Sequence, residues 1–511
     1  MHPRCGGPRG IRSTGEGLDL PSMIEVSEAG VPNGRARSEP QPGTRSSWPD
    51  SVWTHPTTAR TRAPTVAKTG RGGGSSTGSR PGPTGRCATR PVCNLAGVSA
   101  REVDYLLIGG GLASANCARW LREEGADGPV VLVGRELDAP YNRPDCSKGY
   151  LRGEETREEP LFRPAEWWKE QDIELLTRTT VTGLDPASST ATLSDKQEIH
   201  FKRALLATGA NVRVLNVEGC ELDHIYYLRT LGNADAIRAG VQDAEEVVMI
   251  GGSYIGCEVA ASLTMLGKRC SIVMQEEVTL ERGFGRQAGL FFQGLLEEHG
   301  VQIHPSDELA RFEGDGHVGK VVTKNGRELP AQAVVVGAGV TPELTLARGA
   351  GLEIGERGGV RCSSRLESSA PGIFAAGDIC EYESVVHGGA RLRIEHWDVA
   401  FNQGETAALN MLGRDVPHEV VPYFFSDLGD WGGLEYVGPA QGWHEEIVRG
   451  SAEEGSFTTW YLHDGKVAAA LTVGRSDDLE HARRLLAAGV QLDGDARGKL
   501  ADPDGDLADL G

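Results

Sequence analysis

The sequence predicts an α/β protein containing two strand–glycine turn–helix units, and three observations carry the prediction. At residues 106–115, LLIGGGLASA, a short apolar run enters three glycines and a helix pattern follows at once. The same design returns at residues 247–263, VVMIGGSYIGCEVAASL. Three further apolar runs also end in glycine turns: LLATGA (205–210), VVVGAGVTP (334–342) and GIFAAGD (372–378). Glycine lets a backbone turn sharply and approach phosphates closely, and the free N–H groups of the helix that follows face their charge. One such turn is a weak signal. Two with matching flanks, 142 residues apart, predict two Rossmann-like, three-layer ββα-type domains.

Composition sets the frame. A chain of 511 residues has room for two or three domains. Residues 1–100 carry 13 Lys and Arg against 6 Asp and Glu, whereas the remaining body is net −27. That acidic body argues against nucleic acid as a partner. No apolar run approaches the roughly 18 residues of a membrane span. Ten cysteines without metal-like C-x-x-C pairs read as reduced thiols, hence a cytoplasmic location.

Taken in order, residues 1–100 are rich in Pro, Gly, Ser, Thr and Arg, lack apolar periodicity, and read as a disordered basic leader. Two alternatives stand beside this: an organellar transit peptide, or a start assigned too early. Cys87 and Cys93 lack the partners of an iron–sulfur module. From Glu102, EVDYLLIGGG gives a strand and turn, ASANCARWLREEG a helix ending near Gly125, and PVVLVG (129–134) a second strand. The fingerprint glycines are Gly109 and Gly111, with Ser114 in the third place. An acidic ribose contact belongs just after the second strand. Arg135 and Glu136 stand there, and Glu136 is the candidate, with an ordinary loop glutamate as the alternative.

The second fingerprint is Gly251, Ser253 and Gly256, followed by the strand RCSIVM and then Gln275, Glu276 and Glu277. No Arg or Lys stands in that stretch to accept a 2′-phosphate, so Glu276 favours NADH over NADPH. Two dinucleotide sites imply two cofactors with electron transfer between them. Gly339 belongs to one of the remaining glycine turns, and GIFAAGD stops in Gly377-Asp378, whose carboxylate can accept from a sugar hydroxyl. The tail beyond Ala487 is Asp- and Gly-rich and reads as disordered.

Residues 101 to about 490 resemble the FAD-dependent pyridine-nucleotide oxidoreductases, in their ferredoxin-reductase and apoptosis-inducing-factor branch. The resemblance rests on both fingerprints, PYNRPDCSKGYL (140–151), LLATGA, VVVGAGVTP, GIFAAGD, EHWD (395–398) and PYFFSD (422–427), in that order along the chain. It implies an FAD domain in two parts, 101–224 and 339–418, with an NAD domain at 225–338 inserted. An α+β interface domain at 419–490 and a disordered acidic tail at 491–511 complete the scheme. Asp378 would hold the ribityl–phosphate side of FAD, Arg143 and Lys148 would lie beside the cofactor, and Thr208, Gly209 and Ala210 would line the crossover.

The resemblance further implies a buried pair of Lys148 and Glu258 that orients the nicotinamide, and His396 and Trp397 near the flavin ring. The alternatives are two exposed charges, a core tryptophan and its hydrogen-bonded neighbour. Tyr423, Phe424 and Phe425 read as core, with an edge on the flavin. Electrons from NADH would pass through FAD to a small redox protein such as ferredoxin or rubredoxin. Cys146 departs from the usual aliphatic residue, and position 151 is Leu, which argues against a two-thiol disulfide reductase. A single-cysteine disulfide or peroxide reductase, with Lys148 lowering the thiol pKa, is one alternative. A redox-responsive binding protein like apoptosis-inducing factor is the other.

Overall fold

The computed structural model describes residues 101–439 and 442–510; the expected disordered leader lies outside the described residues. The strand Arg101–Ile108 is central to a seven-stranded sheet, flanked in parallel by Val130–Val133 and Glu198–Leu206. Leu106 and Leu107 are both fully buried, as expected for a parallel strand covered on both faces. Ile173–Leu176 extends one edge, and the antiparallel strands Thr190–Leu193 and Val181–Asp185 extend the other. Much later in the chain, Ile373–Ala375 pairs in parallel with Glu198–Leu206. The chain therefore leaves this sheet after residue 206 and returns to it.

Between those points a second, wholly parallel sheet forms in the order Gln302–His304, Arg269–Val273, Glu246–Ile250, Ala333–Val336, Ile225–Tyr227. A three-stranded antiparallel meander, Leu309–Asp315, His317–Thr323 and Glu328–Pro330, is inserted before its last strand. The two crossings between the sheets run side by side as an antiparallel ribbon, Ala210–Val212 against Val340–Pro342.

The segment after the helix Trp397–Met411 forms a third, antiparallel sheet of Tyr423–Asp427, Gly433–Val437, Lys466–Val473, Ser456–His463 and Glu445–Ser451. One correction to the sequence reading falls here. The tail expected to be disordered forms the helix Gly494–Ala501, and it buries Leu492, Leu500, Leu507 and Leu510 in one cluster with Trp460 and Leu485. Two buried or half-buried arginines hold it by its backbone. Arg449 donates to the carbonyls of Lys499, Asp502 and Gly505, and Arg484 to those of Leu507 and Leu510. Four leucines spaced among Asp and Gly are too sparse for a periodic signal, but on a preformed apolar face each finds a place.

Candidate active site

The first glycine turn walls a cavity of about 1170 Å³, larger than the ~300–1,000 Å³ of ordinary small-molecule pockets. Gly109 has φ +126°, and a Cβ there would sit 2.1 Å from the carbonyl oxygen of Ala207. Both facts demand glycine. Gly111 caps the helix Leu112–Glu123 and has no side chain to satisfy the first-turn N–H groups. A helix start of this kind favours an anion through its free N–H groups and its dipole. Ser114 does not reach the cavity. It is fully buried in the helix Leu112–Glu123, whose neighbouring Ala113, Asn116 and Cys117 closely approach Gly404 of the helix Trp397–Met411. The third fingerprint position is here a small residue buried within the fold rather than one that lines the cavity.

Glu136 lines the cavity, yet both of its oxygens have protein partners. Arg143 donates to one at 2.5 Å and the Tyr141 hydroxyl to the other at 2.6 Å. Burial alone would raise the Glu136 pKa, but the charge and hydrogen bonds of Arg143 and Tyr141 outweigh it and lower it. Arg143 also donates to Tyr141 Oη and to the Arg229 carbonyl, both at 2.9 Å. Sequence reasoning proposed Glu136 and Arg143 separately; folding makes them one unit.

The strand-end residues converge on the same cavity. Thr208, Gly209 and Ala210 line it with Gly377 and Asp378. Gly209 has φ +67° and Gly377 φ +75°. Asp378 pairs with Arg229 at 2.7 Å, and Arg229 also donates to the Ala210 carbonyl at 3.1 Å. Arg229 follows the edge strand Ile225–Tyr227, so it carries a positive charge from the second sheet to the first. No motif marked it in the sequence.

Lys148 and Glu258 meet at 2.6 Å, both nearly fully buried. Three partners were not anticipated. Asp427 lies 3.3 Å from the Lys148 ammonium, and the hydroxyls of Ser147 and Ser426 donate to the two Glu258 oxygens at 2.5 and 2.6 Å. Ser147 and Glu258 line the cavity; Lys148 does not, and meets it only through its pairing with Glu258. The Ser-Lys dipeptide was visible in the sequence, but Ser426 and Asp427 arrive from the C-terminal sheet.

Aromatic rings close this end. Tyr254, Phe424 and Phe425 line the cavity, Tyr254 and Phe424 edge to face at 5.2 Å. His396 and Trp397, also lining it, begin the helix Trp397–Met411. Trp397 stacks on Phe401 at 5.3 Å and donates to Asn142 Oδ1 at 3.1 Å. Burial pushes the His396 pKa down to about 4 against a partial opposing pull from Asp378, so the imidazole is neutral near pH 7. Its Nδ1 is a buried atom without a hydrogen-bond partner.

The second glycine turn has the geometry of the first. Gly251 has φ +112°, and its Cβ would sit 2.5 Å from the Gly337 carbonyl oxygen. A Cβ on Gly256 would meet the Gly251 carbonyl oxygen at 2.1 Å. Ser253 caps the helix Tyr254–Met265 without a side-chain bond. Neither these residues nor Glu276 and Gly339 line the cavity, but Tyr254, Ile255 and Glu258 from the same helix do. The region after the second strand differs from its sequence reading. Arg282 reaches Glu276 at 2.6 Å, and Arg286 reaches Glu277 at 2.8 Å, both from the following helix Glu281–Glu298. Arginine was absent locally, but a helical return brings it back in space.

Cys146 lines the cavity as a 2% exposed residue, and burial pushes its thiol up to about 12 despite Arg143 nearby. The single-cysteine reductase reading needs a thiolate, and burial works against one here. The donor set fits FAD instead. A glycine cradle and an open helix start suit the phosphates, Asp378 suits a hydroxyl, and an aromatic wall suits a flat ring.

Residues 103–404 match the pyridine nucleotide-disulphide oxidoreductase family, and residues 423–511 match the reductase C-terminal domain. The chain therefore belongs to the pyridine nucleotide-disulphide oxidoreductase family. It is 34% identical to the 5,5′-dehydrodivanillate O-demethylase ferredoxin reductase subunit of a Sphingobium species, over 80% of this chain and 98% of that protein. It is 33% identical to the benzene 1,2-dioxygenase system ferredoxin–NAD(+) reductase subunit of Pseudomonas putida, over 79% of this chain and 96% of that one. Among solved structures, the covalent putidaredoxin reductase–putidaredoxin complex matches at 31% identity with a TM-score of 0.73, covering 78% of this chain and 95% of that one.

Proposed function

We propose that this chain is an FAD-dependent NAD(P)H oxidoreductase of the ferredoxin-reductase type, taking a hydride from NADH and delivering electrons to a small redox protein such as ferredoxin or rubredoxin. The observation that carries it is a single continuous cavity. It runs from the phosphate cradle at Gly109–Gly111 to the first turns of the second fingerprint helix at Tyr254 and Glu258, and ends against Phe424 and Phe425. FAD, when bound, accepts the hydride pair and releases electrons singly. The protein's share is to place the donor and exclude water.

Lys148, fixed by Glu258 and Asp427, supplies positive charge behind the ring end of the cavity. The helix start at Trp397 adds its dipole there. His396 stays neutral and offers a hydrogen bond without adding charge. NADH is the proposed donor over NADPH, because Glu276 and Glu277 hold negative charge at the end of the second βαβ unit; Arg282 and Arg286 moderate that preference. The relatives named as ferredoxin reductase components, and the putidaredoxin complex, support a small iron–sulfur carrier as acceptor. A cytoplasmic location rests on the seven described cysteines all being free thiols.

Stopped-flow reduction of the purified yellow protein by NADH and by NADPH, followed by a screen of ferredoxins and rubredoxins, tests this reading. Faster flavin reduction by NADH and acceleration by at least one carrier are expected. A colourless protein, or no acceleration over quinones and oxygen, would overturn it.

A further inference from the structure

We propose that His444, His463 and Asp464 form a binding site for a divalent transition metal, zinc in the first instance, on the C-terminal sheet. None of the three lines the redox cavity. His463 ends the strand Ser456–His463, and Asp464 with Gly465 makes the two-residue turn into Lys466–Val473. Glu445 pairs with Leu462 across the sheet, so His444, one residue earlier, comes opposite His463. Its N–H donates to the Leu462 carbonyl at 2.9 Å. The two imidazoles are stacked, 4.5 Å apart and 30° from parallel.

The donor atoms are close together, although the stacked rings must rotate about their side-chain bonds before both in-plane lone pairs can meet one ion. His444 Nδ1 is 3.6 Å from one Asp464 oxygen, and His463 Nε2 is 3.7 Å from the other. All three donor atoms lie within 4.8 Å of one another. Ligand atoms of a tetrahedral ion bound at ~2.0–2.1 Å sit about 3.4 Å apart, so each histidine is already near that spacing from one Asp464 oxygen, and the three must draw together from within 4.8 Å to share one ion. Two imidazole nitrogens and one carboxylate suit zinc, nickel or copper, and poorly suit calcium or magnesium, which take all-oxygen shells. Three protein ligands leave a fourth position for water.

The scaffold holds this arrangement in advance. Asp464 has φ 48° and Gly465 φ 74°, the pair of left-handed conformations of a tight hairpin turn. The ordered tail braces it. Gln491 donates to the Asp464 carbonyl at 3.0 Å, Leu492 N–H to the Gly465 carbonyl at 2.9 Å, and Arg497 pairs with Glu445 at 3.3 Å. A metal therefore has only exposed side-chain rotamers to fix, not backbone.

Zinc chloride titrated calorimetrically into the chelator-stripped, FAD-loaded full chain tests the proposal, beside His444→Ala and Asp464→Asn variants. Asn tolerates the left-handed turn and so keeps the fold while removing the charge. The wild type is expected to bind one more equivalent than either variant, or to bind it at least about 100-fold more tightly, since even outer partners of a metal site are worth about 10–100-fold. Zinc should also raise the unfolding temperature of the wild type alone. Equal stoichiometry and affinity in all three proteins, with equal unfolding temperatures, would show a histidine pair and carboxylate that bind no metal.

Discussion

Lys148 sits between two carboxylates, its ammonium 2.6 Å from Glu258 and 3.3 Å from Asp427. Removing a partner from a buried ion pair leaves the remaining charge unpaid for by solvent. Lys148→Met should therefore destabilise the protein by about 3–5 kcal/mol, less whatever the serine hydroxyls retain on Glu258. Chemical denaturation measures that loss, and stopped-flow reduction by NADH measures the role. A variant that retains FAD and is reduced at the wild-type rate would leave Lys148 a purely structural residue. Asp145, in the same turn, behaves differently. Burial, with repulsion from Glu155 and Asp427 against attraction from Lys148, pushes its carboxyl up to about 7. The folded state thus holds a proton that the unfolded state, with a carboxyl near its ordinary value of about 4, has released. That contribution to stability is full below about pH 4 and is lost as pH rises towards 7. Asp145→Asn, which never ionises, should gain on the wild type across that window by up to about 4 kcal/mol and then level off. Unfolding temperatures of the two proteins from pH 4 to 8 check it; a constant difference sinks it.

Among the elements, the glycine turns could be read directly because their reason is local. A positive φ and a close carbonyl admit no side chain, so Gly109 and Gly251 announce themselves in sequence. Glu136 could be proposed from its place after the second strand, but not its engagement by Arg143 and Tyr141, which needs the turn at 140–147 folded back. The tail was misread for the opposite reason. Its leucines have no pattern of their own, and only the outer face of the C-terminal sheet gives them partners. Leu500, fully buried in the helix Gly494–Ala501, is the test. Leu500→Ala should cost about 2–4 kcal/mol, as a buried leucine does when truncated, and should increase proteolysis after residue 490. Urea unfolding and limited proteolysis indistinguishable from wild type would mean that the tail contributes nothing to the domain.

At the scale of the molecule, the cavity is made by a chain that leaves one sheet, builds another and comes back. Ile373–Ala375 rejoins Glu198–Leu206 across a gap of more than 160 residues, and that return brings Asp378 to the first glycine turn. The α/β class, the two phosphate-type turns and the family resemblance were determined by the sequence alone, because each rests on contacts between residues close along the chain. The tertiary structure alone decided that Arg229 meets Asp378, that Asp427 and Ser426 complete the Lys148–Glu258 cluster, and that Arg282 answers Glu276. It also decided that Cys146 is buried and that His444 faces His463. These are pairings between distant segments, fixed by how sheets stack and where crossings fall. Burial and charge partners, which set what a side chain can do, exist only once that packing is complete.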